Sequence, residues 1–239
     1  MTDDPGIDAL LEDSWPAAEY VETSAFRIGR GAGGGRRVGS ARSIAESCTG
    51  DEIDRAAEIQ REWDQAPLFR VSDGEMLVGA LEARGWRAQM PTAILSAPSA
   101  PLAAREIPPV TSFAVWPPLA IQRELWSECG IGPERQEIMQ RVALVKTSIL
   151  GRVEDRAAAS AFVAGSGKTA MIHALEVLPA LQRKGLGHWM ICRAAHWAVE
   201  NDFQRLCLAV TRENTAALAF YARLGFTEIG GYSYFAVSS

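Results

Sequence analysis

The stretch from Leu175 to Tyr234 constrains the fold of this 239-residue chain more than any other part. Its apolar pattern predicts a buried strand, a turn with glycines, a helix, a second buried strand and a short helix carrying one tyrosine. The turn, Gln182-x-x-Gly185-x-Gly187, falls where the first helix should begin. A helix start built of small residues is a good anion site, because free backbone N–H groups and the helix dipole both favour negative charge.

The short helix after the second strand carries the motif Asn214-x-x-Ala217-x-x-x-Tyr221, followed by Gly225 and Phe226. Asn214 is suited to cap the start of this helix, and Gly225 is suited to end it. Ala217 and Tyr221 are four residues apart, so they share one helix face. A phenol, with an ordinary pKa of about 10, stays protonated at pH 7 and can donate its proton to a thiolate.

The glycine turn and the tyrosine helix together resemble the motifs of the GNAT family of acyl-CoA-dependent N-acyltransferases. The resemblance implies that the turn holds the pyrophosphate of CoA. It also implies that the N–H of Val177 polarises the thioester carbonyl and that Tyr221 protonates the departing thiolate. No metal and no covalent enzyme intermediate is implied. The residues it assigns to CoA binding are Val177, Gln182, Arg183, Lys184, Gly185, Leu186, Gly187, His188, Asn214, Ala217 and Tyr221.

The reaction implied by this resemblance is direct transfer of an acetyl group from acetyl-CoA to an amine, within a ternary complex. The amine must lose a proton before it attacks, and Glu176 is the first candidate for the catalytic base. His173 is a second candidate, and a chain of water molecules is a third. Because Glu176 and His173 are three residues apart on a strand, we expect their side chains to face opposite sides of the sheet.

The sequence of the first half of the chain resembles a degenerate repeat of the second half. Residues 55–69 align with residues 193–207, and ARGW at 83–86 aligns with RLGF at 223–226. In this alignment Ser47 and Thr49 replace the two glycines of the turn, and Leu81 replaces the tyrosine. We therefore expect the first half to be non-catalytic and to pack on the second half or wall its substrate pocket.

The predicted fold is α/β, with a mixed central sheet flanked by helices and two GNAT-like halves in tandem. A Pro- and Ala-rich stretch divides the halves, and its lack of periodicity is typical of a linker or an irregular crossover. The predicted parts are an N-terminal arm at 1–24, a degenerate half at 25–100, a linker at 101–110 and a catalytic domain at 111–239.

Two glycine-rich segments match nucleotide-binding patterns only superficially. GSGKT at 165–169 lacks the first glycine of a P-loop, because Phe162 stands there, so it reads as a hairpin turn. GRGAGG at 29–34 matches G-x-G-x-x-G, but no amphipathic helix follows it, and a hairpin loop is the better interpretation.

Charge and cysteine usage limit the class of protein. The net charge is −5, with 18 acidic and 11 basic residues in 1–110, and 11 acidic and 13 basic residues in 111–239. A slightly basic second half suits a polyanionic substrate such as CoA, and an acidic first half suits a cationic amine. The four scattered cysteines and three histidines predict no zinc site and favour a cytoplasmic location. We expect acetyl-CoA and an amine as partners, no nucleic acid or membrane, and a monomer or homodimer.

Two other functions stay open at this point. One is a non-catalytic module that binds or senses CoA or has a structural role, and the other is an acyltransferase that uses a longer acyl-CoA. The identity of the amine cannot be read from the chain. Tyr232 and Tyr234, in the segment that closes the sheet, either line the acceptor pocket or pack within a strand.

Overall fold

A computed structural model describes residues 6–237, which form eight α-helices and eleven β-strands. The helices are α1 (Gly6–Asp13), α2 (Gly50–Glu62), α3 (Leu77–Ala83), α4 (Ser99–Ala103), α5 (Ala120–Glu128), α6 (Pro133–Arg141), α7 (Leu186–Glu200) and α8 (Thr215–Arg223). The strands are β1 (Glu19–Glu22), β2 (Phe26–Arg30), β3 (Ala41–Ser43), β4 (Phe69–Ser72), β5 (Trp86–Pro98), β6 (Ser112–Val115), β7 (Val145–Val153), β8 (Arg156–Ser166), β9 (Thr169–Val177), β10 (Arg205–Thr211) and β11 (Thr227–Val237). The predicted α/β class with a mixed sheet and flanking helices is confirmed.

The described chain divides into two units, and each unit combines segments from both halves of the sequence. The C-terminal unit contains residues 6–15, 95–209 and 219–227. The N-terminal unit contains residues 16–94, 210–218 and 228–237. These segments differ from the predicted division at 101–110, because the first and last segments of the chain each belong to the unit built mainly from the other half. The first five residues of the predicted arm lie outside the described residues.

The sheet of the C-terminal unit has the strand order β10-β9-β8-β7-β6. β10 runs parallel to β9, and the other neighbours are antiparallel. α7 packs closely on this sheet because Gly151 of β7 has no side chain, and a Cβ there would lie 2.6 Å from the Met190 sulfur. α5 packs on the opposite face, where Gln122 bonds to Ser148 and Ser160. The segment GSGKT is the turn between β8 and β9, as predicted.

The N-terminal unit contains the strand order β1-β2-β3-β4-β11. β3 is parallel to β4, and β11 is antiparallel to β4, with Tyr232 opposite Ser72. Its core includes Phe26, Phe69 and Trp86, whose rings meet edge to face at 5.2 and 4.8 Å. Edge-to-face packing is a favourable arrangement for aromatic rings in a core.

Several local predictions have a clear outcome in the structure. The stretch expected to be a linker contains α4, so it is partly helical. The segment GRGAGG ends β2 and continues into a turn, as expected for a hairpin loop. Tyr232 and Tyr234, on β11, are 2% and 5% exposed, which favours packing within the strand. Among the described residues, no helix is both long enough and apolar enough to cross a bilayer.

Candidate active site

A gap opens between β9 and β10 in the middle of the C-terminal unit. The two parallel strands pair from Thr169 opposite Arg205 to Ile172 opposite Leu208, and within the described chain their pairing ends there. β9 nevertheless continues along β8 as far as Val177. The second half of β9 therefore has one paired edge and one edge that faces the gap.

A β-bulge in β9 precedes the gap and changes which face its side chains occupy. His173 lies opposite Phe162 and Glu176 lies opposite Ser160, so β9 has one residue more than β8 between these pairs. Phe162 and Ser160 are two residues apart and share a face, and directly opposed residues project to the same face. His173 and Glu176 are therefore on one face, and the prediction that they face opposite sides was wrong.

The bulge is stabilised by a tryptophan on α5. Ala174 adopts a left-handed backbone conformation with φ of 51°, which is uncommon for a residue with a side chain. The indole N–H of Trp126 donates a hydrogen bond of 2.9 Å to the carbonyl of Ala174. A buried carbonyl that leaves its sheet ladder must find another donor, and Trp126 supplies it.

The backbone of Val177 points into the gap. The N–H of Leu178 donates to the carbonyl of Ala158 on β8, at 2.9 Å. Successive residues of a strand direct their polar groups to opposite edges, so the N–H and carbonyl of Val177 point away from β8. Its carbonyl accepts a hydrogen bond of 3.1 Å from the Gln182 side-chain amide. The neighbouring N–H has the direction needed to polarise a carbonyl placed in the gap.

The predicted glycine turn leads directly into α7. Gly185 is the residue before the helix and has φ of 79°, a left-handed conformation that favours glycine. No side chain caps this helix start. A Cβ on Gly187 would meet only Phe220, at 3.5 Å, which is an ordinary contact. The protein itself therefore tolerates a larger residue at 187, and the open space there suits close approach of an anionic group.

Three other predicted residues of the turn have their own protein contacts. Lys184 forms an ion pair with Glu154, on the turn between β7 and β8, and this contact lowers the pKa of Glu154. Leu186 is buried and packs beside Gly151. The imidazole of His188 lies 3.4 Å from the Arg105 guanidinium, and burial together with this positive charge lowers the pKa of His188. Arg183 is exposed, with φ of 66°.

The predicted cap of α8 is present. The side-chain oxygen of Asn214 accepts a hydrogen bond of 3.0 Å from the N–H of Ala217, and the carbonyl of Asn214 accepts one from Leu218. Asn214 is thus the N-cap of a helix that carries Tyr221 seven residues later. Gly225, with φ of 90°, follows the helix and ends it.

Tyr221 and Glu176 are electrostatically coupled. The pKa of Tyr221 is raised to about 12, first by burial and then by the negative charge of Glu176. Burial also raises the pKa of Glu176, and the positive charge of Arg135 partly offsets this. A phenol with a raised pKa stays protonated and can act as an acid. A carboxyl with a raised pKa binds a proton more readily and can act as a base, so the two groups suit these roles.

Three residues around Glu176 were not predicted from the sequence. Trp126 bonds the bulge, Arg135 on α6 places positive charge near the carboxyl, and the charge of Glu176 reaches Cys129. Burial is the main cause of the raised pKa of the Cys129 thiol. All three lie between positions 119 and 142, where the sequence carries helical periodicity but no motif. Periodicity identifies the buried face of a helix but not which of its residues reaches a site.

His173 is tied to the N-terminal helix. Its Nε2 atom lies 2.8 Å from the Ser14 hydroxyl, which itself donates to the carbonyl of Leu10 at 2.5 Å. Because the single hydroxyl proton of Ser14 is used in that bond, Nε2 of His173 must be the donor to Ser14. The ring also lies 5.0 Å from Trp15. His173 is 7% exposed, and these contacts favour a structural role over a role as base.

The described residues contain no group of three or more histidine, cysteine or acidic side chains placed to hold a metal ion. A thioester-bearing CoA fits the C-terminal unit in three respects. Its phosphates suit the uncapped start of α7, its extended arm suits the unpaired edge of β9, and its thioester carbonyl suits the N–H of Val177.

Known proteins share both a sequence pattern and this fold. Residues 115–226 match the family model described as Acetyltransferase (GNAT) family. A GCN5-related N-acetyltransferase from Kribbella flavida superposes with a TM-score of 0.73 and 16% identity, over 100% of this chain and 97% of that chain.

A GNAT-family acetyltransferase from Novosphingobium aromaticivorans gives a TM-score of 0.58 and 14% identity over 96% of this chain and 97% of that chain. A tandem GNAT protein from the clavulanic acid biosynthesis pathway gives a TM-score of 0.60 and 12% identity over 96% of this chain and 86% of that chain. These structures share the fold of this chain.

Proposed function

From the match of residues 115–226 to the GNAT acetyltransferase family model, we propose that this protein transfers an acetyl group from acetyl-CoA to an amine. The observation that carries this proposal is the electrostatic effect of Glu176 on Tyr221. The phenol has a pKa of about 12, and the carboxyl has a pKa raised by burial. Acyl transfer to an amine needs an acid that protonates the leaving thiolate and a base that deprotonates the amine.

The proposed reaction is one displacement. Glu176 removes a proton from the ammonium group of the acceptor, directly or through water, and the free amine attacks the thioester carbonyl. The N–H of Val177 stabilises the negative charge that develops on the carbonyl oxygen. The C–N bond forms and the C–S bond breaks, and the Tyr221 hydroxyl gives its proton to the departing thiolate. The nitrogen of the new amide loses its second proton to solvent, solvent returns a proton to Tyr221, and Glu176 releases the proton it took up.

In the C-terminal unit, the residues proposed to bind CoA are those of the turn, the second half of β9 and Tyr221 on α8. Lys184 would exchange its partner Glu154 for a phosphate oxygen, because both partners are partly exposed and the ion pair between them is weak. Leu186 and His188 would contribute through their backbone N–H groups at the helix start, since their side chains are engaged elsewhere.

A binding or sensing module without transfer is the second candidate, and Tyr221 weighs against it. Binding of CoA alone does not require a phenol whose pKa is raised by the charge of a carboxylate. A longer acyl donor is compatible with the same chemistry, and comparing rates across acyl-CoA chain lengths would decide it. We further propose a cytoplasmic location, supported by the four free thiols of the described chain, and a monomer or homodimer.

Calorimetric titration with acetyl-CoA tests this proposal first. We expect one site per chain with micromolar affinity. A panel of amines, with thiol release as the readout, then identifies the acceptor. Absence of any acetyl-CoA binding by the folded chain would overturn the proposal. Binding without thiol release for any amine would favour the sensing module.

A further inference from the structure

We propose that Trp126 is a positioning residue of the transfer site, because its indole N–H holds the β-bulge that directs both Glu176 and the N–H of Val177. The role in transfer rests on the proposed function, whereas the role in holding the bulge is inferred from the contacts of the C-terminal unit alone. Trp126 lies on α5 and is 0% exposed, so it acts through the backbone of β9 rather than by contact with a substrate.

The bulge decides which way each later residue of β9 points. Between His173 and Glu176, β9 has one residue more than the facing part of β8. Because faces and edges alternate along a strand, one extra residue exchanges both for every residue that follows it. Without it, the Glu176 side chain would lie on the face of the sheet that packs against α7, and the N–H of Val177 would point to β8 instead of the gap. The bulge therefore sets the direction of both groups at once.

The bulge needs support from a neighbour, because the residue that forms it is an alanine. Ala174 has φ of 51°, a left-handed conformation that the Cβ of alanine disfavours. A glycine would adopt this conformation without help. The hydrogen bond of 2.9 Å from the Trp126 indole N–H to the Ala174 carbonyl offsets the cost. Loss of this bond should therefore favour the regular strand, in which both groups point the wrong way.

The helix that carries Trp126 is held at a second point beside Glu176. Gln122 lies one turn earlier on the same face of α5, and its side-chain amide donates to the Ser160 hydroxyl of β8 at 3.5 Å. Ser160 is directly opposite Glu176. α5 therefore contacts β8 opposite Glu176 and β9 two residues before it. A helix held at two points keeps the indole N–H in a fixed place, and the Ala174 carbonyl stays with it.

The test removes the indole N–H and keeps the size of the ring. A tryptophan analogue whose indole N–H is replaced by sulfur is incorporated in the full chain at position 126 alone. The same analogue at Trp197 is the matched control, because Trp197 is buried on α7 and packs against Phe203. With the acceptor found in the amine screen, we expect kcat to fall about 10–100-fold with the analogue at position 126 and to stay native with the analogue at position 197.

Two further readouts separate positioning from a general loss of packing. The affinity for CoA without an acetyl group should change less than about twofold, since the bulge directs groups at the thioester and not at the phosphates. The rise of kcat/KM with pH that the proposed base Glu176 causes should become smaller. A general loss of packing would lower the rate at every pH and keep the shape of the profile. Trp126→Phe should act in the same direction, and if this smaller side chain prevents folding, the analogue decides.

Amide hydrogen exchange followed by NMR reports on the bulge without any acceptor. The N–H of Leu178 bonds to the Ala158 carbonyl just after the bulge. With the analogue at position 126 it should exchange at least about threefold faster, while the N–H groups of residues 169–172, ahead of the bulge, should keep their native rates. Native exchange of Leu178, or faster exchange together with native kcat, would overturn the inference. If no amine supports thiol release, the proposed function fails, and the exchange rates still decide whether Trp126 holds the bulge.

Discussion

At the scale of single residues, burial shifts the pKa of Tyr221 and the pKa of Glu176 in the same direction. Burial raises the pKa of both groups, and the charge of Glu176 adds to the effect on Tyr221. Burial favours the neutral form of each acid. For Tyr221 the neutral form is the proposed proton donor, so the shift preserves that form. For Glu176 the neutral form could not act as the proposed base, so the shift should move activity towards higher pH.

Replacing Tyr221 with phenylalanine should separate transfer from binding. The substitution keeps the aromatic ring and its packing against Phe226, and it removes the hydroxyl proton of Tyr221. We expect kcat to fall about 10²–10⁴-fold with the acceptor found in the screen, and the affinity for acetyl-CoA to change less than about twofold. Steady-state kinetics and calorimetry measure these two quantities. Tyr20→Phe, in the N-terminal unit, is the control. A native rate in Tyr221→Phe would contradict the proposed acid.

Replacing Glu176 with glutamine should lower activity and raise stability together. In the native protein the folded state holds the Glu176 proton more tightly than the unfolded state, because the folded pKa is raised. Stability therefore falls as the pH rises from the ordinary carboxyl pKa through the raised one. Glu176→Gln removes the ionisable carboxyl, so the variant does not lose stability in this way as the pH rises. Its melting temperature at pH 7 should therefore be higher than that of the native chain.

The same variant should change the pH profile of catalysis. In the native protein the kcat/KM of the proposed reaction should rise with pH as Glu176 loses its proton, and this rise should disappear in Glu176→Gln. A native pH profile in the variant would show that water or another group is the base. Glu200→Gln, on an exposed turn of α7, is a suitable control for general effects of losing a charge.

At the scale of secondary-structure elements, the turn and the bulge differ in how far they could be predicted. The turn was predictable from its two glycines. Gly185 adopts a left-handed backbone conformation that favours glycine, and Gly187 leaves space beside the backbone that a side chain would fill. The bulge was not, because the bulged residue is an alanine and the bond that stabilises it comes from Trp126, 48 positions earlier. A period of two assumes regular pleating, so one extra residue reversed the expected side of Glu176 relative to His173.

Gly187→Ala tests the anion site at the start of α7 without disturbing the fold. The new methyl group has room against Phe220, so the melting temperature should stay the same or rise slightly. The affinity for acetyl-CoA should fall about tenfold or more, because the Cβ prevents close approach of a phosphate to the backbone N–H groups.

Gly79→Ala, on α3 of the N-terminal unit, is the matched control for this substitution, since a Cβ there meets no neighbour within 4 Å. Thermal melting and calorimetric titration of both variants complete the comparison. Native affinity for acetyl-CoA in Gly187→Ala would place the phosphates elsewhere.

At the scale of the whole molecule, the two units share one chain in a way that sequence order conceals. The prediction of a repeat between the halves rests on helix-to-strand spacing, which does not indicate the unit to which each end of the chain belongs. β11 follows the tyrosine helix in sequence, yet it pairs with β4 of the N-terminal unit. The N-terminal helix, likewise, belongs to the C-terminal unit, where Ser14 contacts His173. Strand pairing is a long-range choice, and local periodicity does not determine the partner.

This exchange of segments predicts that neither half of the chain folds alone. A fragment ending at residue 106 lacks β11, and with it Phe235 of the core around Phe69. A fragment starting at residue 107 lacks Leu11 and Trp15, which are 0% and 5% exposed. Removing one large core side chain costs about 3–5 kcal/mol, a large part of the total stability of about 5–15 kcal/mol of a typical domain.

A protease site inserted after Glu106, in the exposed loop between α4 and β6, tests this prediction. The nicked protein should keep its melting temperature within a few degrees and its acetyl-CoA binding, because every segment stays in place. After separation in denaturant, each fragment should refold without a cooperative melting transition, and mixing the two should restore both properties. A cooperative transition in either isolated fragment would show that the exchanged segments contribute little to that unit. The predicted boundary at 101–110 would then separate two independent domains.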